Sequence, residues 1–261
     1  MADHRRRRPR GLWTEEVGEG RVVVLVHGSM DRSGGMLRVR RLLEDGYRVV
    51  RYDRRGYGRS LDAGPPTSFG QQVDDLAAVV DGRTAVLAGH SFGGVLALAL
   101  AEREPTTVGA VLAYEAPMMW EPWWPRDSVG QRASREDPSE AAEWFLRRML
   151  GDRTWERLPA STRAQRRAEG PTLVAEMAAV HPGAPAPYHP ERVTVPVVAA
   201  HGALSKAHHR RATGELAARA PHGELVVVDG AGHGAHRTHP AAFADLVRRA
   251  ASRAHGLPTA P

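Results

Sequence analysis

The chain has 261 residues, 42% of them apolar, with 36 Lys or Arg against 30 Asp or Glu, for a formal net charge of +6. That length suits one α/β domain or two small ones with a sizeable core; the lack of cysteine excludes disulfides, thiolate nucleophiles and cysteine-based zinc sites, and no apolar run approaches the ~20 residues of a membrane span. Five Arg and one Asp in the first ten residues carry +4, so the rest of the chain holds only +2 with both signs interspersed, a solvated surface and not a nucleic-acid footprint.

Residues 1–11 read as a disordered basic tail. No apolar h-region follows it, so it is not taken for a signal peptide, and a cytoplasmic location is expected. "RVVVLVHG" (21–28) is β-branched and runs into a Gly turn, the mark of a strand. "GGMLRVRRLLEDG" (34–46) has helical spacing and stops at Gly46. A second strand, "YRVVRYD" (47–53), a second helix, "FGQQVDDLAAVVDG" (69–82), and a third strand, "TAVLAGHS" (84–91), follow. "FGGVLALALAEREP" (92–105) is a helix ended by Pro105, and "TVGAVLAYE" (107–115) a fourth strand. The rhythm then breaks. Residues 117–190 hold helical patches such as "PSEAAEWFLRRML" and a Pro-rich exit but no strong strand, after which "VPVVAAHG", "HHRRATGELAARA", "GELVVVDG" and "HPAAFADLVRRAASRA" resume the alternation. Such alternation predicts a mostly parallel sheet covered by helices on both faces. The irregular stretch reads as a helical cap, 117–190, inserted into one core made of 12–116 and 191–261.

"GHSFGG" (89–94) matches G-x-S-x-G and falls between a strand and a helix, the placement a nucleophile elbow requires. The tight turn would expose Ser91 Oγ above the sheet, with the helix N-terminus behind it. A serine needs a base. Of thirteen His, His233 in "VVVDGAGHGAH" follows the last strand and shares the sheet edge of Ser91. His90 should point the other way along its strand, and His201 reads as structural. After the first strong strand, "VHGSM" (26–30) can supply a backbone N–H which, with that of Phe92, would form an oxyanion hole; Ser29 is the favoured donor and Met30 the alternative.

With "VHGSM", "YDRRGYGRS" (52–60), "GHSFGG" and "GAGH" in this order and spacing, the chain resembles the α/β-hydrolase superfamily over residues 12–254, strongly in the two core halves and weakly in the cap. The resemblance implies the α/β-hydrolase fold and, with Ser and not Asp at the elbow, acyl transfer to water in place of epoxide or carbon–halide chemistry. It also implies an acid after the strand that follows the cap, in a pattern like H-G-x-x-D. Here "VVAAHGALSKAHH" puts Ser205 at that position, and no Asp or Glu is near. Glu115, closing the strand before the cap, is the replacement candidate, since neighbouring parallel strands lie only ~4.8 Å apart. Its role would be to orient the imidazole of His233; a structural strand-end Glu, or a Ser–His pair with no acid, are the alternatives.

The cap opens "PMMWEPWWP", which suggests an apolar substrate pocket built by Met118, Trp120, Trp123 and Trp124, although packing of cap on core would use the same residues. No phosphate loop or dinucleotide fingerprint is visible, so no cofactor is expected. His233, His236 and His239 are spaced by three, but Pro240 marks a loop and no acidic ligand accompanies them, so no metal is expected either. The expectation is a serine hydrolase for an ester, thioester or lactone of a small apolar molecule, with no nucleic-acid or membrane partner. Acyl transfer to another acceptor, peroxide included, and a catalytically idle binding protein are the alternatives.

Overall fold

In a computed structural model that describes residues 11–133 and 137–254, the chain runs β1 (Thr14–Val17), β2 (Val22–Val26), α1 (Leu37–Leu43), β3 (Arg48–Tyr52), α2 (Phe69–Val80), β4 (Ala85–His90), α3 (Phe92–Arg103) and β5 (Val108–Tyr114). Five helices follow, α4 (Val129–Ala133), α5 (Pro138–Leu150), α6 (Asp152–Arg157), α7 (Ala160–Ala168) and α8 (Gly170–Ala179). The chain closes with β6 (Val197–Gly202), α9 (Ala207–Arg219), β7 (Gly223–Val228), α10 (Ala235–Thr238) and α11 (Pro240–Arg253). The expected basic tail, apart from its last residue, lies outside the described residues. Among those residues no helix is long and apolar enough to cross a membrane.

The seven strands pair in the order β1-β3-β2-β4-β5-β6-β7, parallel except for β1, which runs antiparallel to β3. The central strands are apolar but for His90 in β4 and His201 in β6 because both faces are covered; every residue of β2, β4, β5 and β6 is buried. α2, α3 and α9 pack one face and α1 and α11 the other, giving two core layers. α3 is buried from Phe92 to Ala101, since it lies between the sheet and other helices and has no solvent face. α2 starts where Ser68 Oγ accepts from the Gln71 N–H and ends at Asp81 in the left-handed region. The sequence missed β1: "TEEV" is short and mostly polar, and it holds its place as an edge strand through Thr14–Val17 pairing against Tyr52–Val49.

Strand order reverses between β2 and β4. The chain leaves β2 toward β3 on one side and returns to β4 on the other, so the loops after β2 and β4 diverge and leave a crevice at the carboxyl ends of the strands. The α4–α8 insertion, the cap, sits over that crevice. Two fully buried cap carboxylates fasten it. Glu176 of α8 meets the guanidinium of Arg54, and its Oε2 accepts from Ser29 Oγ at 2.6 Å and from Tyr57 OH at 2.8 Å. Glu169 accepts from Arg32 Nε at 2.6 Å and from the Gly58 N–H at 2.8 Å. Arg54 is held in turn by Gln72 Oε1 at 2.6 Å and the His27 carbonyl at 2.9 Å.

Candidate active site

Four non-glycine residues among those described have positive φ: Met30, Asp81, Ser91 and Glu115. Asp81 ends a helix. Ser91 and Glu115 directly follow β4 and β5, and Met30 lies in the loop after β2, all at the carboxyl edge of the sheet. Such conformations cost of order 1–3 kcal/mol each and persist only where their surroundings impose them. At Ser91 the cause is visible. The strand turns into α3 within one residue (φ 52°, ψ −124°), which brings the backbones of the turn into contact. A Cβ on Gly89 would lie 2.5 Å from the Gly93 carbonyl oxygen and from the Gly94 backbone, and one on Gly93 would run into the Val26 carbonyl. Both glycines of the G-x-S-x-G turn are therefore demanded by packing.

Glu115 is completely buried. Its Oε2 accepts the Nδ1–H of His233 at 2.7 Å, and its Oε1 accepts from the Ser205 hydroxyl and, at 3.4 Å, from the Gly202 N–H. Burial pushes the carboxyl up, but the hydrogen bond and charge of His233, with the Ser205 and Gly202 donors, outweigh it and hold the group below the usual carboxylate range. An ionised Glu115 fixes the proton of a neutral His233 on Nδ1 and leaves Nε2 with a free lone pair. Ser205, at the position where the resemblance implied an acid, thus supports the carboxylate that reaches His233 from the neighbouring strand.

The loop that carries His233 is tied down on three sides. Tyr114 OH donates to the Gly232 carbonyl at 2.8 Å, His90 Nε2 to the His233 carbonyl at 2.8 Å, and His236 Nε2 meets Asp31 Oδ2 at 2.9 Å. His90 points behind the strand end, as its place beside Ser91 in a strand requires. Sequence reading missed Asp31 and His236, which lie 205 positions apart and carry no motif. It also missed Glu176, which sits in the cap where the resemblance is weak.

Ser91, His233, Ser29 and Phe92 all line one cavity of about 540 Å³ between core and cap, within the range of small-molecule sites. Met30 is buried outside that lining, so of the two candidate oxyanion residues after β2 only Ser29 reaches it. The apolar wall is built by Met119, Trp124, Phe145, Met149 and Met177, and the polar part by Ser128, Asp127, Arg148, Lys206, His208 and His209. Of the four expected pocket residues, only Trp124 is in this wall. Met118 is buried in the core, Trp120 packs edge-on against Tyr188 at 5.4 Å, and Trp123 lies under the Arg211 guanidinium at 4.3 Å. The "PMMWEPWWP" segment has no regular period, so which rings faced inward could not be read from spacing.

The profile of the alpha/beta hydrolase family matches residues 23–246. The chain belongs to that family. It is 33% identical over 106 residues to the pimeloyl-acyl-carrier-protein methyl ester esterase of Nitrosospira multiformis (39% of this chain, 40% of that one) and 37% identical over 89 residues to the non-heme haloperoxidase of Rhodococcus erythropolis (32% of each). The aligned stretches span two fifths or less of these relatives. The enol-lactonase from Burkholderia xenovorans LB400 superposes with a TM-score of 0.71 over 92% of this chain and 96% of that one, at 22% identity, a likeness of fold.

This member of the family holds three histidines at or behind the cavity below the ordinary imidazole range, His27 and His90 buried and His209 half-buried. Burial, with the Arg54 charge adding to it, pushes His27 down to about 3. Burial and neighbouring imidazoles hold His90 and His209 well below the ordinary range. As pH falls through ~6.5 the unfolded chain takes up protons on these side chains and the folded chain does not, so stability is fully present above that value and is lost on acidification. Between pH 7.5 and 5.5 His27 alone contributes a loss of about 1.4 kcal/mol, and His90 and His209 add to it. Thermal melts across that range should show Tm falling by at least several degrees, and a His27→Gln variant should show a shallower slope.

Proposed function

We propose that the chain is a serine hydrolase that cleaves an ester, thioester or lactone of a small, largely apolar substrate through an acyl-enzyme intermediate. The observation that supports this reading most is the 2.7 Å bond from His233 Nδ1–H to the buried Glu115 carboxylate, on a loop bordering the same cavity as Ser91. Ser91 Oγ attacks the acyl carbon as His233 Nε2 takes its proton, and Glu115 stabilises the imidazolium that forms. The Phe92 and Ser29 N–H groups stabilise the oxyanion. His233 then returns its proton to the leaving group, and a water molecule activated the same way releases the acid. A cytoplasmic location forms part of this reading and rests on the sequence alone.

A panel of p-nitrophenyl esters, thioesters and lactones tests the proposal, run with Ser91→Ala alongside; equal rates for the two proteins would refute it. The likeness to a non-heme haloperoxidase favours a second reading, in which hydrogen peroxide takes the place of water as acyl acceptor. Peracid formation during ester turnover, measured with and without peroxide, separates the two.

The wall predicts where specificity lies. Trp124 is buried against His208 and His209, with ring centroids 4.7 and 5.4 Å away, and its Nε1–H donates to Ser128 Oγ. Trp124→Phe frees volume in the cavity and should shift the preferred acyl chain upward, by about tenfold in relative kcat/KM for one or two extra methylenes. Trp123→Phe should leave the chain-length profile unchanged, and a matching shift in both variants would mean the effect comes from cap packing.

A further inference from the structure

Two imidazoles face the Glu115 carboxylate, and the chemistry above uses only one. His209, in the first turn of α9, lies beside His233 with ring centroids 4.7 Å apart and planes 30° from parallel. Its Nδ1 is buried without a hydrogen-bond partner and stands 3.8 Å from Glu115 Oε2, too far for a hydrogen bond. That same oxygen takes the His233 Nδ1–H. One donor atom from each of Glu115, His209 and His233 lies within 4.8 Å of the other two. The unpartnered Nδ1 of His209 is free to take a ligand's place. The second carboxylate oxygen is held by Ser205 and Gly202, the kind of outer support that fixes a ligating carboxylate. Both imidazoles line the cavity, which gives an ion a path from solvent.

We propose that Glu115, His209 and His233 form an inhibitory site for a divalent transition-metal ion, with Zn²⁺ the best match to two imidazoles and one carboxylate. The proposal rests on the reading of His233 as the general base. A neutral imidazole carries one ring proton. When the ion binds through Nδ1, that proton resides on Nε2, and His233 has no lone pair left to accept the Ser91 proton. No oxidation or bond cleavage is involved, and removing the ion restores the base. The set differs from the His233, His236 and His239 spacing weighed from sequence. A second cluster, Asp31, His90 and His236, is less suited, since neither of its histidines lines the cavity.

The test uses protein stripped with EDTA, with Co²⁺ as a spectroscopic probe and Zn²⁺ as competitor and inhibitor. Co²⁺ should give the visible absorption of a coordinated ion, Zn²⁺ should abolish it, and Zn²⁺ should inhibit p-nitrophenyl ester hydrolysis over the same concentration range, reversibly with EDTA. His209→Ala and the bulkier His209→Gln should each weaken Zn²⁺ ten- to a hundredfold in the absorption assay. Ser91→Ala touches none of the ligands and should bind Co²⁺ as the unaltered chain does. Esterase activity with no cobalt absorption at millimolar Co²⁺ overturns the metal site and leaves the hydrolase reading standing, and so does Zn²⁺ inhibition undiminished in both His209 variants. Histidine-dependent cobalt binding in a chain that hydrolyses none of the esters, thioesters and lactones of the panel supports metal binding at these residues but overturns its inhibitory role together with the hydrolase reading.

Discussion

Ser91→Ala, His233→Ala and the double variant are expected to fall to one common residual rate, about 10⁴–10⁶-fold below the unaltered chain, which corresponds to roughly 5–8 kcal/mol of barrier. The losses should not add, because a serine without a base and a base without a serine perform the same absent step. The residual rate belongs to the binding cavity and the N–H groups of Phe92 and Ser29, which neither substitution touches. Single-turnover kinetics on a p-nitrophenyl ester measures all three, with thermal melts to confirm folding. A His233→Ala protein that keeps most of its turnover would give the role of base to another residue, and His209, beside it in the cavity, would be the first to examine.

Glu115→Gln is expected to lower kcat/KM by about 10²–10⁴, or roughly 3–5 kcal/mol, with little change in melting temperature. The hydrogen bonds around Glu115 explain why an isosteric change is so costly. The Oε1 position receives the Gly202 N–H, a donor that cannot rotate, and the Ser205 hydroxyl. The carboxamide of Gln satisfies them by placing its oxygen there, which turns its NH₂ toward His233 Nδ1. That forces the His233 proton onto Nε2 and removes the lone pair Ser91 needs. Adding Ser205→Asp to Glu115→Gln should recover part of the rate, since a carboxylate then stands on the next strand beside the same loop. Ser205→Asp alone should cost activity, because it presses two carboxylates together. An unaltered kcat/KM in Glu115→Gln would return the chemistry to a Ser–His pair without an acid.

Most of the sheet was legible because its strands are buried on both faces. "VVVLV", "AVLAGH" and "VGAVLAY" are apolar except for the closing His90, a pattern that suits a central parallel strand buried on both faces. The G-x-S-x-G turn was legible for a steric reason, since neither glycine position has room for a Cβ. The contact of Glu115 with His233 was legible only through the resemblance, which implied an acid where Ser205 stands. What sequence could not yield depends on contacts across long separations. Arg54 and Glu176 meet across 122 positions, and Asp31 and His236 across 205, and nothing local announces either partner. The inward-facing Trp of the cap was illegible for a different reason. The segment is neither helix nor strand, so no period says which of Trp120, Trp123 and Trp124 points at the cavity.

The buried bond between Arg54 and Glu176 bears on how molecules come and go. Both side chains are buried where the cap meets the core, and lifting α8 would return them to water and break the bonds of Glu176 to Ser29 and Tyr57. The same carboxylate holds Ser29, so raising the roof also releases one wall of the oxyanion pocket. The exposed polar part of the cavity lining lies elsewhere, at Asp127, Arg148 and Lys206. On the proposed function, a substrate would meet these charged side chains before it meets the apolar wall of Met119, Trp124 and Met177.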